Sequence, residues 1–128
     1  GAPTAAITGL CTTNDAYLVP IDGAVADKLM ADCPFYTAYS IPAGTYNGQD
    51  MDVTTVTVKA TLIVSTSASD DDVYNLTKAI FDNVDAIAAE NGKGKELSVE
   101  NATSGMSAPF HAGAAKYYAE KGVTVETK

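Results

Sequence analysis

Two stretches of different period lie near the middle of this chain, and together they restrict its fold class. From Thr54 to Val64 the run TTVTVKATLIV alternates, so that Val56, Val58, Ala60, Leu62 and Val64 share one face and Thr57, Lys59 and Thr61 the other. That spacing predicts a strand. Soon after it the period lengthens. Val73, Leu76, Ile80, Phe81, Val84 and Ile87 recur at helical intervals, which predicts a helix that opens at Ser69 and closes at Asn91-Gly92. Ser69 with Asp72 resembles a capping box, and Asp70, Asp71 and Asp72 lie where negative charge meets the positive end of a helix dipole. A strand feeding an amphipathic helix points to an α/β chain, with a mixed sheet flanked by helices.

The remaining segments fit that class. Thr4 to Leu10 reads as a short helix with Thr4 near its cap, and Ala16 to Ile21 as a buried strand ending near a proline. Asp22 to Ala31 looks helical, with Ala24, Val25, Leu29 and Met30 on its apolar side and Asp22 able to accept from its first amides. A last helix is expected from Pro109 to Lys121, with Pro109 in its first turn, Gly122 at its exit, and Phe110, Ala114, Tyr117 or Tyr118 turned to the core. No internal repeat is visible and no domain boundary inside the chain is required, so residues 1–128 are taken as one segment.

Charge narrows the partners. Sixteen acidic residues against eight basic ones give a formal charge of -8, which repels nucleic-acid phosphates and anionic membranes. Every cation is a lysine. Without arginine the chain lacks the planar fork that grips carboxylates in a bidentate way, so any bound anion must be held by amides, hydroxyls or lysine. No apolar run approaches the roughly 20 residues that span a bilayer. The chain opens at Gly1 with neither an initiator Met nor a basic and apolar leader, which suggests a processed product or an excised piece. Cys11 and Cys33 could close a loop of about twenty residues with a disulfide, worth on the order of 3 kcal/mol, or remain two buried thiols.

Catalytic and metal constellations are absent from the pattern. His111 is the sole histidine, and no local motif marks a serine or carboxylate to work with it, so a scaffold role under the last helix is expected. No Cys/His cluster has zinc spacing and no acidic loop has the calcium pattern, so neither a metal nor a cofactor is expected. Gly92-Lys93-Gly94-Lys95 lacks the spacing of a phosphate-binding loop and reads as a mobile surface loop. Asn75-Leu76-Thr77 and Asn101-Ala102-Thr103 match the glycosylation tripeptide by coincidence. The unusual stretch is Phe35 to Asp52, FYTAYSIPAGTYNGQDMD, where aromatic rings mix with turn residues and hydroxyls. That composition suits ligand contact, and it equally suits tyrosines covering a sheet edge.

Two rare strings in this order carry a resemblance: Ser40-Ile41-Pro42-Ala43-Gly44-Thr45-Tyr46-Asn47-Gly48-Gln49-Asp50 with Val53-Thr54-Thr55-Val56, and Pro109-Phe110-His111-Ala112-Gly113-Ala114-Ala115-Lys116-Tyr117-Tyr118. With Gly1-Ala2-Pro3, Leu18-Val19-Pro20-Ile21-Asp22 and Pro34-Phe35-Tyr36, the likeness covers nearly the whole chain. It resembles the TAXI family of solute-binding proteins, the extracytoplasmic receptors of TRAP transporters. Ala112 stands where that family usually has proline. The resemblance implies the C-terminal part of a larger receptor, mostly from one lobe of a two-lobed, periplasmic-binding-protein-like fold, whose N-terminal part is missing here.

The same resemblance implies periplasmic or other extracytoplasmic localisation and no enzymatic activity. It implies capture of a small organic anion, glutamate-like or a dicarboxylate, by hinge closure, and presentation to the TRAP membrane subunits. Local chemistry then selects Pro3 and Thr4, at a helix N-terminus, as the anion-facing end, with Tyr46 lining the cleft. The competing reading is a structural or interaction module that self-associates through an exposed sheet edge as a homo-oligomer. A small hydrolase would rest on His111 alone.

Overall fold

A nine-residue run with little polar character, AAITGLCTT, forms the first helix, α1 (Ala5–Thr13). Inside it Thr8, Thr12 and Thr13 donate their hydroxyls to the carbonyls of Thr4, Thr8 and Gly9 at 3.2, 2.8 and 3.3 Å, which satisfies hydroxyls that the helix has no other place for. Asn14 ends it, bonding the Leu10 carbonyl through its amide at 3.0 Å. The computed structural model describes residues 1–127. Within it residues 15–22 are not a strand. Ile21 donates one bond to the Thr54 carbonyl at 3.0 Å, while Tyr17 and Val19 remain 87% and 71% exposed. The expected strand at Ala16 to Ile21 is therefore corrected to an irregular, mostly exposed segment, in which one bond cannot sustain a ladder.

Helix α2 (Gly23–Asp32) follows, and Asp22 makes no side-chain cap bond to it. Its inward face is Ala26 with Leu29 and Met30, whereas Val25 points to solvent. Cys33 and Pro34 turn the chain into β1 (Tyr36–Ile41), which pairs antiparallel with β2 (Val53–Val58) in the register Tyr36↔Val58 to Ile41↔Val53. Helix α2 packs on both strands. The sheet is two-stranded and antiparallel, not the mixed sheet expected. β1 lies inside the stretch read as ligand-contacting, so Tyr36 and Tyr39 serve the sheet. β2 stops at Val58, and Leu62 and Ile63 are 68% and 82% exposed. Alternation gave the strand but not its length, because a strand extends only as far as it has a neighbour. Cys11 and Cys33 are free thiols.

Helix α3 (Asp70–Asp82) opens as its sequence suggests: the Ser69 hydroxyl accepts from the Asp72 amide at 3.1 Å, with three aspartates in the first turn. The helix does not continue to Ile87. Asn83 leaves helical geometry at φ -118 and ψ 23, and its side-chain amide donates to the Ala79 carbonyl at 2.8 Å. That local bond competes with the backbone ladder, and the chain restarts as α4 (Val84–Glu90). The Gly92–Glu96 segment is a 3-10 turn capped by the Asn91 side chain, and Gly94 is buried against Ala88. A Cβ at Gly94 would lie 2.6 Å from the Ala88 nitrogen, so this is a packed turn and not the mobile loop expected.

After the short α5 (Val99–Thr103), α6 (Ala112–Glu120) packs along α3. Phe81 stacks on Tyr117 at 5.4 Å, and Tyr118 meets Phe81 and Phe110 edge-on at 6.0 and 5.5 Å. Both Tyr117 and Tyr118 are buried, beside Val73 and Thr77. α6 begins three residues after Pro109, with His111 as its cap. The chain divides into two compact units, Gly1–Lys59 and Ala60–Lys128, each with its own small core. No described helix is long and apolar enough to cross a membrane.

Candidate functional site at the start of the first helix

Any α-helix begins with amides that have no partner in the helix. In α1 the Thr4 carbonyl accepts the first intrahelical bond, from the Thr8 amide at 2.9 Å, so the amides of Ala5, Ala6 and Ile7 precede the ladder. No side chain caps them. The Thr4 hydroxyl, the usual candidate, donates instead to the Gly1 carbonyl at 3.0 Å. Three consecutive amides at the positive end of a nine-residue helix thus have no partner in the helix and no side-chain cap, and Ala5 and Ala6 are exposed. Pro3, also exposed, immediately precedes them.

What fixes this end is Tyr46. Its hydroxyl accepts a hydrogen bond from the Thr4 amide at 2.9 Å, across 42 residues of chain, and only 4% of the residue is exposed. The ring comes from the connection between β1 and β2, which closes on itself: Gly44 donates to the Gln49 carbonyl at 2.7 Å and Gln49 to the Tyr46 carbonyl at 3.1 Å. Gly44 and Gly48 adopt φ 75 and 79, backbone that a side chain resists. The Gln49 side-chain amide adds bonds to the carbonyls of Ile41, Pro42 and Met51 at 3.1, 3.1 and 3.0 Å. Asn47, next to Tyr46, donates to the Cys11 carbonyl at 3.2 Å. One loop therefore grips α1 at its N-cap residue, Thr4, and again in its last turn.

The structure brings together two of the three residues selected from sequence. Thr4 and Tyr46 are bonded, and Pro3 is adjacent to Thr4 in the chain. Tyr46 is buried, and its hydroxyl, accepting from the Thr4 amide, holds the start of α1 in place. Asn47 and Gln49 escaped the sequence reading. Their only signal was two amide side chains in a glycine-bearing turn, which does not reveal which carbonyls they reach.

Two surface hollows lie elsewhere. One of about 410 Å³ sits at the far end of α1, lined by Cys11, Asn14, Asp15, Tyr17, Asn47 and Gly48. Another of about 350 Å³, in the second unit, is lined by residues 106–110 with Glu126 and Thr127. Neither includes Pro3, Thr4 or Tyr46. Among the described residues no group of three or more His, Cys, Asp or Glu is disposed to hold a metal ion.

His111 belongs to the second unit and caps α6. Its Nδ1 accepts from the Gly113 amide at 3.2 Å, lies 3.7 Å from an Asp70 carboxylate oxygen, and its side chain is 12% exposed. Gly113 is where α6 touches α3: a Cβ there would lie 2.2 Å from the Asp70 carbonyl oxygen. The imidazole thus organises a helix crossing. Burial, and then the neighbouring Tyr117, push the Tyr118 phenol above its ordinary value. The bond from the Tyr74 hydroxyl to Glu120, 2.8 Å long, does the same for Tyr74.

Helices with a small two-stranded sheet make this an α/β fragment, and the family that its sequence matches consists of periplasmic-binding-protein-like domains. The sequence model of the NMT1-like family matches residues 1–122. The chain belongs to the NMT1-like family. Domains of this family are usually extracellular or periplasmic.

Proposed function

We propose that this chain is the C-terminal part, mostly from one lobe, of a two-lobed extracytoplasmic receptor of a TRAP-type transporter, of the TAXI group, and that the receptor captures a small organic anion. The observation that carries the reading is the family match over residues 1–122. The resemblance of the Ser40 to Asp50 and Pro109 to Tyr118 strings supports the finer assignment. The ligand is a glutamate-like acid or a dicarboxylate, closed over by hinge motion between lobes and handed to the membrane subunits. No reaction and no cofactor are part of this role.

The chemistry of a helix start supports placing the carboxylate at the beginning of α1. An anion there gains charge-assisted bonds from amides that lack a partner, and no cation has to be desolvated to hold it. This suits a chain without arginine. Pro3 and Thr4 shape the approach, and Tyr46 acts one step back, by fixing the direction of the Thr4 amide and with it the amides that follow. Such an arrangement discriminates by geometry more than by charge.

Calorimetric titration of glutamate and short dicarboxylates into the full-length receptor tests the assignment. Thr4→Ala and Tyr46→Phe are each expected to weaken binding about tenfold, the loss of one well-placed polar contact. Affinity unchanged in both variants eliminates the α1 site. No heat from any acid in the series eliminates the ligand class.

A further inference from the structure

Oxygen acceptors, a negative charge and an aromatic face gathered around one hollow are the groups that hold an ammonium ion. The hollow of about 410 Å³ at the far end of α1 gathers all three, and its volume is within the range of small-molecule sites. Its lining comes from the last turn and cap of α1 (Cys11 and Asn14), from Asp15 and Tyr17 just after the helix, and from Asn47 and Gly48 of the connection between β1 and β2. All of it belongs to the first unit.

Both asparagines spend their side-chain nitrogens on α1. Asn14 donates to the Leu10 carbonyl at 3.3 Å and to the Thr13 hydroxyl at 2.8 Å, and Asn47 donates to the Cys11 carbonyl at 3.2 Å. Those bonds fix which end of each amide is nitrogen, and neither Oδ1 accepts a bond among the described residues. Asp15 adds an exposed carboxylate that forms no ion pair among the described residues. The negative end of the α1 dipole lies at the same rim. No lysine lines the hollow, and the first unit carries six aspartates against two lysines, so the local field favours a cation. Tyr17, largely exposed, brings the aromatic face.

We infer that this hollow binds a small primary ammonium compound, whose N–H groups go to the Asp15 carboxylate and to the amide oxygens of Asn14 and Asn47, with its charge and alkyl part against the Tyr17 ring. A bare metal ion is the poorer fit. Asp15 is the single carboxylate of the lining, and no three His, Cys, Asp or Glu gather among the described residues. The inference is independent of the anion reading, since the nine residues of α1, at about 1.5 Å each, put about 13 Å between this hollow and the helix start. One dipole thus favours an anion at one end and a cation at the other.

Titration of the isotope-labelled 128-residue chain with butylammonium, followed in the amide spectrum, tests it. The expected result is saturable shifts at the side-chain amides of Asn14 and Asn47 and at the backbone amide of Gly48. Asp15→Asn changes an exposed side chain and keeps its shape, and it is expected to weaken binding about tenfold. Tyr17→Leu keeps an apolar group without the ring and is expected to cost about threefold. Asp22→Asn removes the same charge outside the hollow and is expected to leave affinity within about twofold. Tetramethylammonium, which has no N–H to donate, is expected to bind more weakly than butylammonium. The proposal is overturned by the absence of saturable shifts at these groups, by binding indifferent to Asp15→Asn or weakened equally by Asp22→Asn, or by saturation with calcium or tetramethylammonium in preference to butylammonium.

Discussion

The bond between the Thr4 amide and the Tyr46 hydroxyl joins residues 42 apart and buries the tyrosine. Replacing Tyr46 with phenylalanine keeps the ring and removes the acceptor, leaving a partly buried amide without its partner. The expected loss is about 1–2 kcal/mol of stability in the first unit, measured by denaturant unfolding with an unchanged slope. Gly113 sets a harder constraint. Alanine there places a methyl 2.2 Å from the Asp70 carbonyl oxygen, so α3 and α6 must move apart at a cost of about 3 kcal/mol or more. Thermal unfolding of Gly113→Ala measures this, and a melting temperature within a degree or two of the parent would contradict the crossing described. Thr4 and Tyr46 could each be chosen from sequence, since one precedes a helix and the other sits in a tyrosine-rich turn. Their bond could not, because nothing in the sequence sets the distance between positions so far apart. The role of Gly113 was hidden for the same reason: it depends on Asp70, on another helix.

Among the elements, those whose signal is local were readable and those whose limits depend on a neighbour were not. Ser69 and the aspartates after it announce α3, but Asn83 looks like any polar residue on a helix surface until its amide turns back on Ala79. The pattern from Thr54 to Val64 is β-like throughout, yet only Val53–Val58 has a strand beside it. Conversely, Tyr36–Ile41 was obscured by aromatic and turn residues that also suit a binding loop. The contact of α3 with α6 gives the second unit a pH signature. Burial raises the Tyr118 phenol in the folded state, so its contribution is fully present below the unfolded value near 10.0 and is lost as pH rises through the folded value. Stability of this unit should therefore fall above about pH 10, and Tyr118→Phe should flatten that decline. Circular dichroism across alkaline pH checks this, and equal slopes in parent and variant would rule out Tyr118 as its source.

For the whole molecule, composition sets limits that the fold respects. A chain of charge -8 with no arginine can hold an anion only through amides, hydroxyls or lysine, and the start of α1 offers amides. The family match gives the class, and the helix start is the proposed point of contact. A binding-protein likeness was legible because the strings that carry it, such as Ser40 to Asp50, are contiguous, though the family shown is NMT1-like and the TAXI group is a proposal; the proposed site was only partly legible because it joins the first residues of the chain to a loop that follows β1. The most direct measurement is the amide spectrum of the isotope-labelled full-length protein during titration with glutamate and short dicarboxylates. The account predicts saturable shifts led by Ala5, Ala6 and Ile7, with Thr4 following. Saturable binding that leaves those amides unmoved, or none by any of these acids, would contradict it.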